Sequence, residues 1–466
     1  MTGNSLLPMA PDRLRVALLV YRGNPHSGGQ GVYTRYLARE LVDLGHEVTV
    51  FAGQPWPVLD EGTGFVGVPS LDLYRQSDPF RFPRLSQLRS GADLAELAIM
   101  GSGGFPEPRT FSWRVRRILA GQRGRFDVLH DNQTFGSGML DLMREGWPLL
   151  GTCHHPITVD RSLELAHAGS WRRELSLRRW YGFVAMQKRV AAAMTRIVTV
   201  SESSKRDIVG QMGIDPARLA VVPIGVDHER FRPRPELEVV PGRIMTTASA
   251  DVPLKGLVPL VEALAKLRVE QPEAHLVVVG RLREDSPVAD VLSGLGLDDK
   301  AVRFVPGVSD EEMVRLYAEA QVAVVPSLYE GFSLPAVEAM ASGTPLVATT
   351  GGALPEVVGT DGDAGLLVPP GDPGALAGAI GRVLGDRGLA ARLAVAGRRR
   401  VLERYTWRAC ALATAEHYRA VIDETARRGG APATDRRGSG SVRRAVRGAP
   451  YGSAPSRGGK GSGPRC

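Results

Sequence analysis

A short apolar run, a turn, an amphipathic helix and a second apolar run follow one another repeatedly along this 466-residue chain, and that alternation leaves few folds open. The first series opens with a strand at Arg15 to Val20 and a glycine-bearing turn, His26-Ser27-Gly28-Gly29-Gln30-Gly31. A helix from Val32 to Leu44 follows, stopped by Gly45, and then a strand from Glu47 to Phe51. Further strands are expected at Val128 to His130, Leu149 to Cys153, Arg196 to Val200 and Ala220 to Val222. The stretch from Gly53 to Gly124 mixes prolines, glycines and arginines, and reads as a mobile insert. Near Phe231 to Pro241 the run Arg232-Pro233-Arg234-Pro235 breaks the pattern. A second series begins beyond it: strand Arg243 to Thr247, helix Leu257 to Glu270, strand His275 to Val279, strand Val302 to Val305, helix Asp310 to Ala320, and strands Val322 to Val325 and Leu346 to Ala348. The expected architecture is α/β, with two doubly wound, Rossmann-like domains, 13–235 and 240–388. A helical segment, 389–426, breaks near Tyr405-Thr406-Trp407 and is expected to pack back on the first domain. Ligands bind such sheets at the carboxyl ends of the strands, so both domains can face one cleft.

The net charge of +8 is a matter of location. Residues 427–466 hold ten Lys or Arg against one acid, a net +9, so the remainder balances to −1. That tail is rich in Gly, Ser, Pro and Arg without apolar periodicity, and is expected to be disordered. Contact with anionic lipid or RNA and a simple solvated extension are both compatible with it; the near-neutral body gives no reason to expect nucleic acid. Three cysteines, Cys153, Cys410 and Cys466, are too few for a disulfide framework. No apolar run reaches the roughly 18 residues of a spanning helix, and Met1 to Arg13 lacks the apolar core of a signal peptide. A cytoplasmic protein is expected, with peripheral contact at the inner face of the membrane left open.

The segment most telling of chemistry is Glu330-Gly331-Phe332-Ser333-Leu334-Pro335-Ala336-Val337-Glu338. It follows the buried strand Val322 to Val325, and Pro335 suits the first position of a helix. The unpaired N–H groups of that helix start favour a phosphate. Glu330 precedes the helix and Glu338 lies about one turn inside it, so two carboxylates flank the anion site. Carboxylates bind hydroxyls, and the combination suits a nucleotide sugar. An exposed helix start in any α/β protein would look much the same.

Laid out in order, these residues resemble the retaining, nucleotide-sugar-dependent glycosyltransferases of family 4, which have the two-domain GT-B fold. The resemblance spans about residues 13 to 425. It rests on Gly28-Gly29, Gly45-His46-Glu47-Val48, Val200-Ser201-Glu202, Val222-Pro223-Ile224-Gly225-Val226-Asp227, Lys255-Gly256, the Glu330 to Glu338 segment, and Ala341-Ser342-Gly343-Thr344-Pro345-Leu346-Val347-Ala348. It implies that Glu330 contacts hydroxyls of the donor sugar. The backbone of Phe332, Ser333 and Leu334 would hold the diphosphate, Glu338 the ribose hydroxyls, and Lys255 the charge developing on the leaving group. Arg281 would line the base pocket. Gly28 and Gly29 would let the backbone approach phosphate or acceptor closely. His154, in Thr152-Cys153-His154-His155-Pro156, matches a histidine placed near the reacting sugar, and His155 is a weaker candidate.

Two positions depart from the family pattern. The arginine usual about six residues before the lysine is absent from Ala248-Ser249-Ala250-Asp251-Val252-Pro253-Leu254-Lys255, where Ser249 offers a hydrogen bond without charge. Arg281 is one candidate to replace it. Ile224 stands where an asparagine is usual. His154-His155 lacks the carboxylate or cysteine spacing of a metal site, so no metal and no cofactor are expected beyond the donor substrate. The resemblance implies a hexosyl transfer from a nucleotide-diphosphate sugar to an acceptor hydroxyl on a lipid-linked sugar, a polysaccharide, inositol phosphate or a small metabolite.

Other classes fit less well. A dinucleotide oxidoreductase would need a third glycine after the first strand and an acid ending the second, which instead ends Val50-Phe51. A same-fold epimerase, a phosphorylase or an idle binding protein shares the donor features. The Arg and aromatic residues of Trp171 to Arg189 suit either a membrane-surface helix or an amphipathic helix turned to the core.

Overall fold

A computed structural model describes residues 13–24, 29–75, 82–166, 168–248 and 252–428. The first half forms a seven-stranded sheet from β1 (Arg15–Val20), β2 (Glu47–Ala52), β3 (Gly64–Gly67), β4 (Val128–Asn132), β5 (Leu149–Cys153), β6 (Ile197–Thr199) and β7 (Leu219–Val221). All neighbours are parallel, in the order β3-β2-β1-β4-β5-β6-β7. The second half forms a six-stranded parallel sheet from β8 (Val240–Thr247), β9 (His275–Val279), β10 (Val302–Val305), β11 (Ala320–Val325), β12 (Leu346–Thr349) and β13 (Leu366–Val368), ordered β10-β9-β8-β11-β12-β13. Central strands are buried on both faces: β4 and β5 have no exposed residue. This is why they read as apolar runs rather than alternating ones. The strand order reverses between β1 and β4 in one sheet and between β8 and β11 in the other. Those two reversals are the switch points at which ligands enter such sheets, and the loops beyond them meet in one cavity.

The terminal helices tie the halves together. Helix Arg387–Arg404 stays with the second sheet, burying Leu389, Leu393 and Val401. Helix Trp407–Arg428 crosses to the first and buries Trp407, Cys410, Tyr418 and Val421 against β4, β5 and helix Gln30–Asp43. Trp407 stacks on Tyr36, ring centroids 5.3 Å apart and planes 10° from parallel.

Several expectations change. The stretch from Gly53 to Gly124 is not a patternless insert: it carries β3 and helices Gly91–Gly101 and Glu107–Leu119, and Phe111, Val115 and Leu119 enter the core. Its short strand and many prolines hid the periodicity. Trp171 to Arg189 is two helices, Trp171–Trp180 and Phe183–Ala193. Tyr181 and Phe183 are buried, whereas Trp171 is 69% exposed, so the segment turns one part to the core and another to solvent. Arg427 and Arg428 belong to the last helix rather than to the tail; residues 429–466 lie outside the described ones.

Trp407→Ala is expected to cost about 3–5 kcal/mol, the usual penalty for emptying a large aromatic site. The check is a clear fall in the first thermal transition with the second half's transition little changed.

Candidate active site

A cavity of about 410 Å³ opens between the two sheets. Each switch-point loop contributes: Gly29, Gln30 and Tyr33 after β1, Gln133 after β4, Lys255 after β8, and Tyr329 to Phe332 after β11. His154 and His155 enter from the end of β5, and Trp407 from the returning helix.

On the second half, a short turn, Pro253–Lys255, ends at Gly256 with φ 67°. A Cβ there would lie 1.9 Å from the Pro326 carbonyl oxygen, so only glycine lets the Lys255 turn press onto the loop after β11. Lys255 Nζ consequently reaches Glu330 Oε1 at 2.8 Å. The same oxygen accepts from Ser327 Oγ at 2.7 Å, and Glu330 is 8% exposed. Helix Leu334–Ser342 then begins, which puts Pro335 at its second position rather than the expected first. Ser333 caps it, accepting from Ala336 N at 3.4 Å, with φ 91° and ψ 86°. Such a conformation is unfavourable for a non-glycine residue and recurs at ligand-binding loops. Phe332 and Leu334 line the cavity, so the helix N-terminus faces it.

Glu338, one turn into that helix, accepts from Tyr317 Oη at 3.2 Å, and burial raises its carboxyl to about 7. It is not among the residues that line the cavity. Arg281 is exposed beyond β9 and does not line the cavity either. Gly28 and Ser249 lie outside the described residues. Among the described residues lining the cavity, Lys255 is the sole Lys or Arg.

On the first half, Gln133 grips the backbone that carries both histidines. Its Oε1 accepts from His154 N at 2.6 Å, and its Nε2 donates to the His155 carbonyl at 2.8 Å. Asn132 orients the His154 ring. Its Nδ2 donates to Thr34 Oγ1 at 3.1 Å, which turns Oδ1 toward His154 Nε2, 2.7 Å away. An amide oxygen only accepts, so Nε2 carries the proton and Nδ1 is bare. Burial lowers this imidazole to about 4, and the ring is neutral near pH 7. Tyr33 meets it edge-on, centroids 4.6 Å apart.

The halves are joined beside these groups. Ser201 Oγ and Ser204 Oγ both donate to the Gly331 carbonyl, at 2.6 and 3.0 Å. The start of helix Glu202–Met212 donates Glu202 N and Ser203 N to the Glu356 carboxylate, at 2.7 and 2.6 Å. Tyr329 Oη donates to Asp207.

Asn132, Gln133, Tyr33 and Trp407 were not foreseen. Asn132 and Gln133 sit at the carboxyl end of β4, which runs two residues past the expected His130, and that end is where ligand residues belong. Among the described residues no cluster of three or more His, Cys, Asp or Glu is suited to a metal ion, and no helix is long and apolar enough to cross a membrane.

The His154 assignment is directly measurable. An NMR titration should find the ring neutral down to about pH 5, and Asn132→Asp should raise its midpoint by about two units, the effect of an adjacent carboxylate. A wild-type midpoint above 6 contradicts it.

Residues 27–230 match the family model described as Glycosyltransferase Family 4, and residues 241–386 the one described as Glycosyl transferases group 1. The MMP alpha-(1->4)-mannosyltransferase of Mycolicibacterium hassiacum is 51% identical over 414 residues, 89% of this chain and 100% of that protein. A D-inositol 3-phosphate glycosyltransferase of Kineococcus radiotolerans is 36% identical, covering 90% and 98%. In fold, the chain is similar to sucrose-phosphate synthase of Thermosynechococcus elongatus, with TM-score 0.67, 24% identity, and 88% and 100% of the two chains covered. It is likewise similar to Anabaena HepE in complex with UDP and glucose, with TM-score 0.61, 17% identity, and 88% and 100% covered. The matches run through both halves of the cavity and the loops that build it: the chain belongs to the family 4 glycosyltransferases, with their GT-B architecture.

Proposed function

We propose that this glycosyltransferase moves a hexosyl group, mannose by analogy with the 51% identical relative, from a nucleoside-diphosphate sugar to a saccharide hydroxyl with retention at the anomeric carbon. The observation that carries the reading is the Lys255–Glu330 pair beside a strained helix start, facing His154 across the cavity. In this reading the diphosphate lies on the helix N-terminus and draws Lys255 onto its oxygens, and Glu330, so released, accepts from sugar hydroxyls. Glu338 accepts from the ribose once Tyr317 yields. Lys255 and the helix dipole supply the positive field, so no obligatory metal or cofactor is part of the proposal. The family's absent arginine has no substitute among the described lining residues, and a modest donor affinity follows in this reading.

The second half offers Glu330 to hydroxyls, and among the described residues the first half presents no carboxylate in the cavity lining. In this reading none of the described lining residues of the first half serves a double displacement as nucleophile. Transfer on one face remains: the sugar–phosphate bond breaks, the departing phosphate oxygen takes the acceptor's proton, and the acceptor oxygen bonds to the same face. The sugar becomes cationic in between. A protonated imidazole beside it would oppose that charge, whereas neutral His154 does not, and its carbonyl faces Gly331.

Acceptor dependence tests the class of reaction. Nucleoside diphosphate should be released from the mannose donor rapidly only when a mannoside acceptor is present, and Lys255→Ala should lower turnover by roughly 10²–10³-fold, the worth of one charge-stabilising donor. Release at the full rate without acceptor overturns the reading. A second test uses Glu338: its carboxyl is neutral below about 7 and ionised above, and the ionised form is the better acceptor for ribose. Donor affinity should therefore rise as pH climbs through 7, and Glu338→Gln should flatten the profile.

A further inference from the structure

The first half holds another cavity, of about 350 Å³, that the reaction as described does not use. Its lining comes from segments that leave the carboxyl ends of β3 and β5, so it opens on the same edge of the sheet as His154. Tyr74 and Trp180 form its walls at right angles, centroids 5.5 Å apart, and Phe105 braces Trp180 from behind at 5.2 Å. Tyr74 is fixed by donating to the Gly104 carbonyl at 3.0 Å. Glu164 and Arg173, both exposed, line it, and Tyr181 Oη donates to the Glu164 carboxylate at 2.8 Å. Phe105 packs edge-on against Tyr21, ring centroids 6.5 Å apart, and Tyr21 directly follows β1, whose next loop lines the reaction cavity.

We propose that this cavity is a saccharide subsite, holding one ring of an acceptor whose reactive end lies at His154. The inference rests on the reading of the acceptor as a saccharide. Indole and phenol faces pack against the C–H faces of a pyranose, and a carboxylate with a guanidinium at the edge meets its hydroxyls. Trp and Tyr serve such amphipathic ligands because they combine a large apolar face with little conformational freedom to lose. Few polar groups on an aromatic wall is the usual composition of a small-ligand site, and the volume falls at the lower end of that range. A phosphate fits poorly, because the carboxylate of Glu164 faces the same space as Arg173. The enzyme should therefore prefer an oligosaccharide to a single sugar.

The test uses the full chain with the mannose donor and α-(1→4)-linked methyl mannosides of one to four rings. kcat/KM should rise by roughly tenfold once the acceptor is long enough to fill the cavity, as one well-packed ring would give. Ser176→Trp fills the cavity from its exposed rim without touching the core. That variant should lose the rise and keep the wild-type rate on the one-ring acceptor. No length dependence in the wild type, or an equal one in Ser176→Trp, overturns the subsite. Should none of the mannosides be glycosylated, it is the proposed reaction that fails, and calorimetric binding of the four-ring mannoside then decides the subsite. Binding to the wild type and not to Ser176→Trp supports it; no binding, or equal binding, overturns it.

Discussion

The active site depends on one join: the loop after β11 pinned to the first half at Gly331. Two serine hydroxyls from the start of helix Glu202–Met212 converge on a single carbonyl oxygen. The Glu356 carboxylate from the second half caps the same helix, where the backbone N–H groups and helix dipole favour a negative charge. A carbonyl with two donors and a helix start with a charged cap are both costly to leave unpaired once buried. Everything chemical follows from that clamp. It holds Glu330 and Phe332 opposite His154, and the return of helix Trp407–Arg428 to the first sheet reinforces it.

Charge within the cleft is arranged as a set of exchanges. Lys255 and Glu330 neutralise each other, and Ser327 supplies Glu330 a further hydrogen bond, so neither charge is stranded in a low-dielectric site. In the proposed reaction an incoming diphosphate offers Lys255 a stronger partner and frees Glu330 for hydroxyls in the same step. On the other wall, burial keeps His154 neutral and Asn132 fixes which ring nitrogen carries the proton. On the proposed reading one wall receives the negative leaving group, and the other avoids adding positive charge where the sugar becomes cationic.

The fold was largely legible because both sheets are parallel and buried on both faces, which writes each strand as an apolar run. Strands β5, β9 and β10 and helix Leu257–Glu270 fall at the residues expected. The break at Tyr405 to Trp407 was equally visible, since an aromatic and polar cluster interrupts the helical period there. β3 and its two following helices were lost because a four-residue strand among prolines carries no period. The site was half legible. Glu330, Lys255 and His154 come together as anticipated, since each follows a strand end. Asn132 and Gln133 escaped notice because uncharged amides carry no motif of their own; their role lies in bonds across 21 or 22 residues that only the fold closes. Arg281 failed to enter the cavity because its position one residue past Gly280 turns it to solvent.

The stereochemistry of the product distinguishes transfer on one face from displacement through the opposite face. In the proposed reaction Glu330 serves hydroxyls and the opposite wall is a neutral histidine, so transfer is expected on the face the phosphate leaves. Proton NMR of the anomeric signal, followed from the first minutes of reaction with an α-linked nucleoside-diphosphate mannose and a methyl mannoside, reads this without ambiguity. The account predicts an α-linked product from the start. A β-linked first product would contradict it.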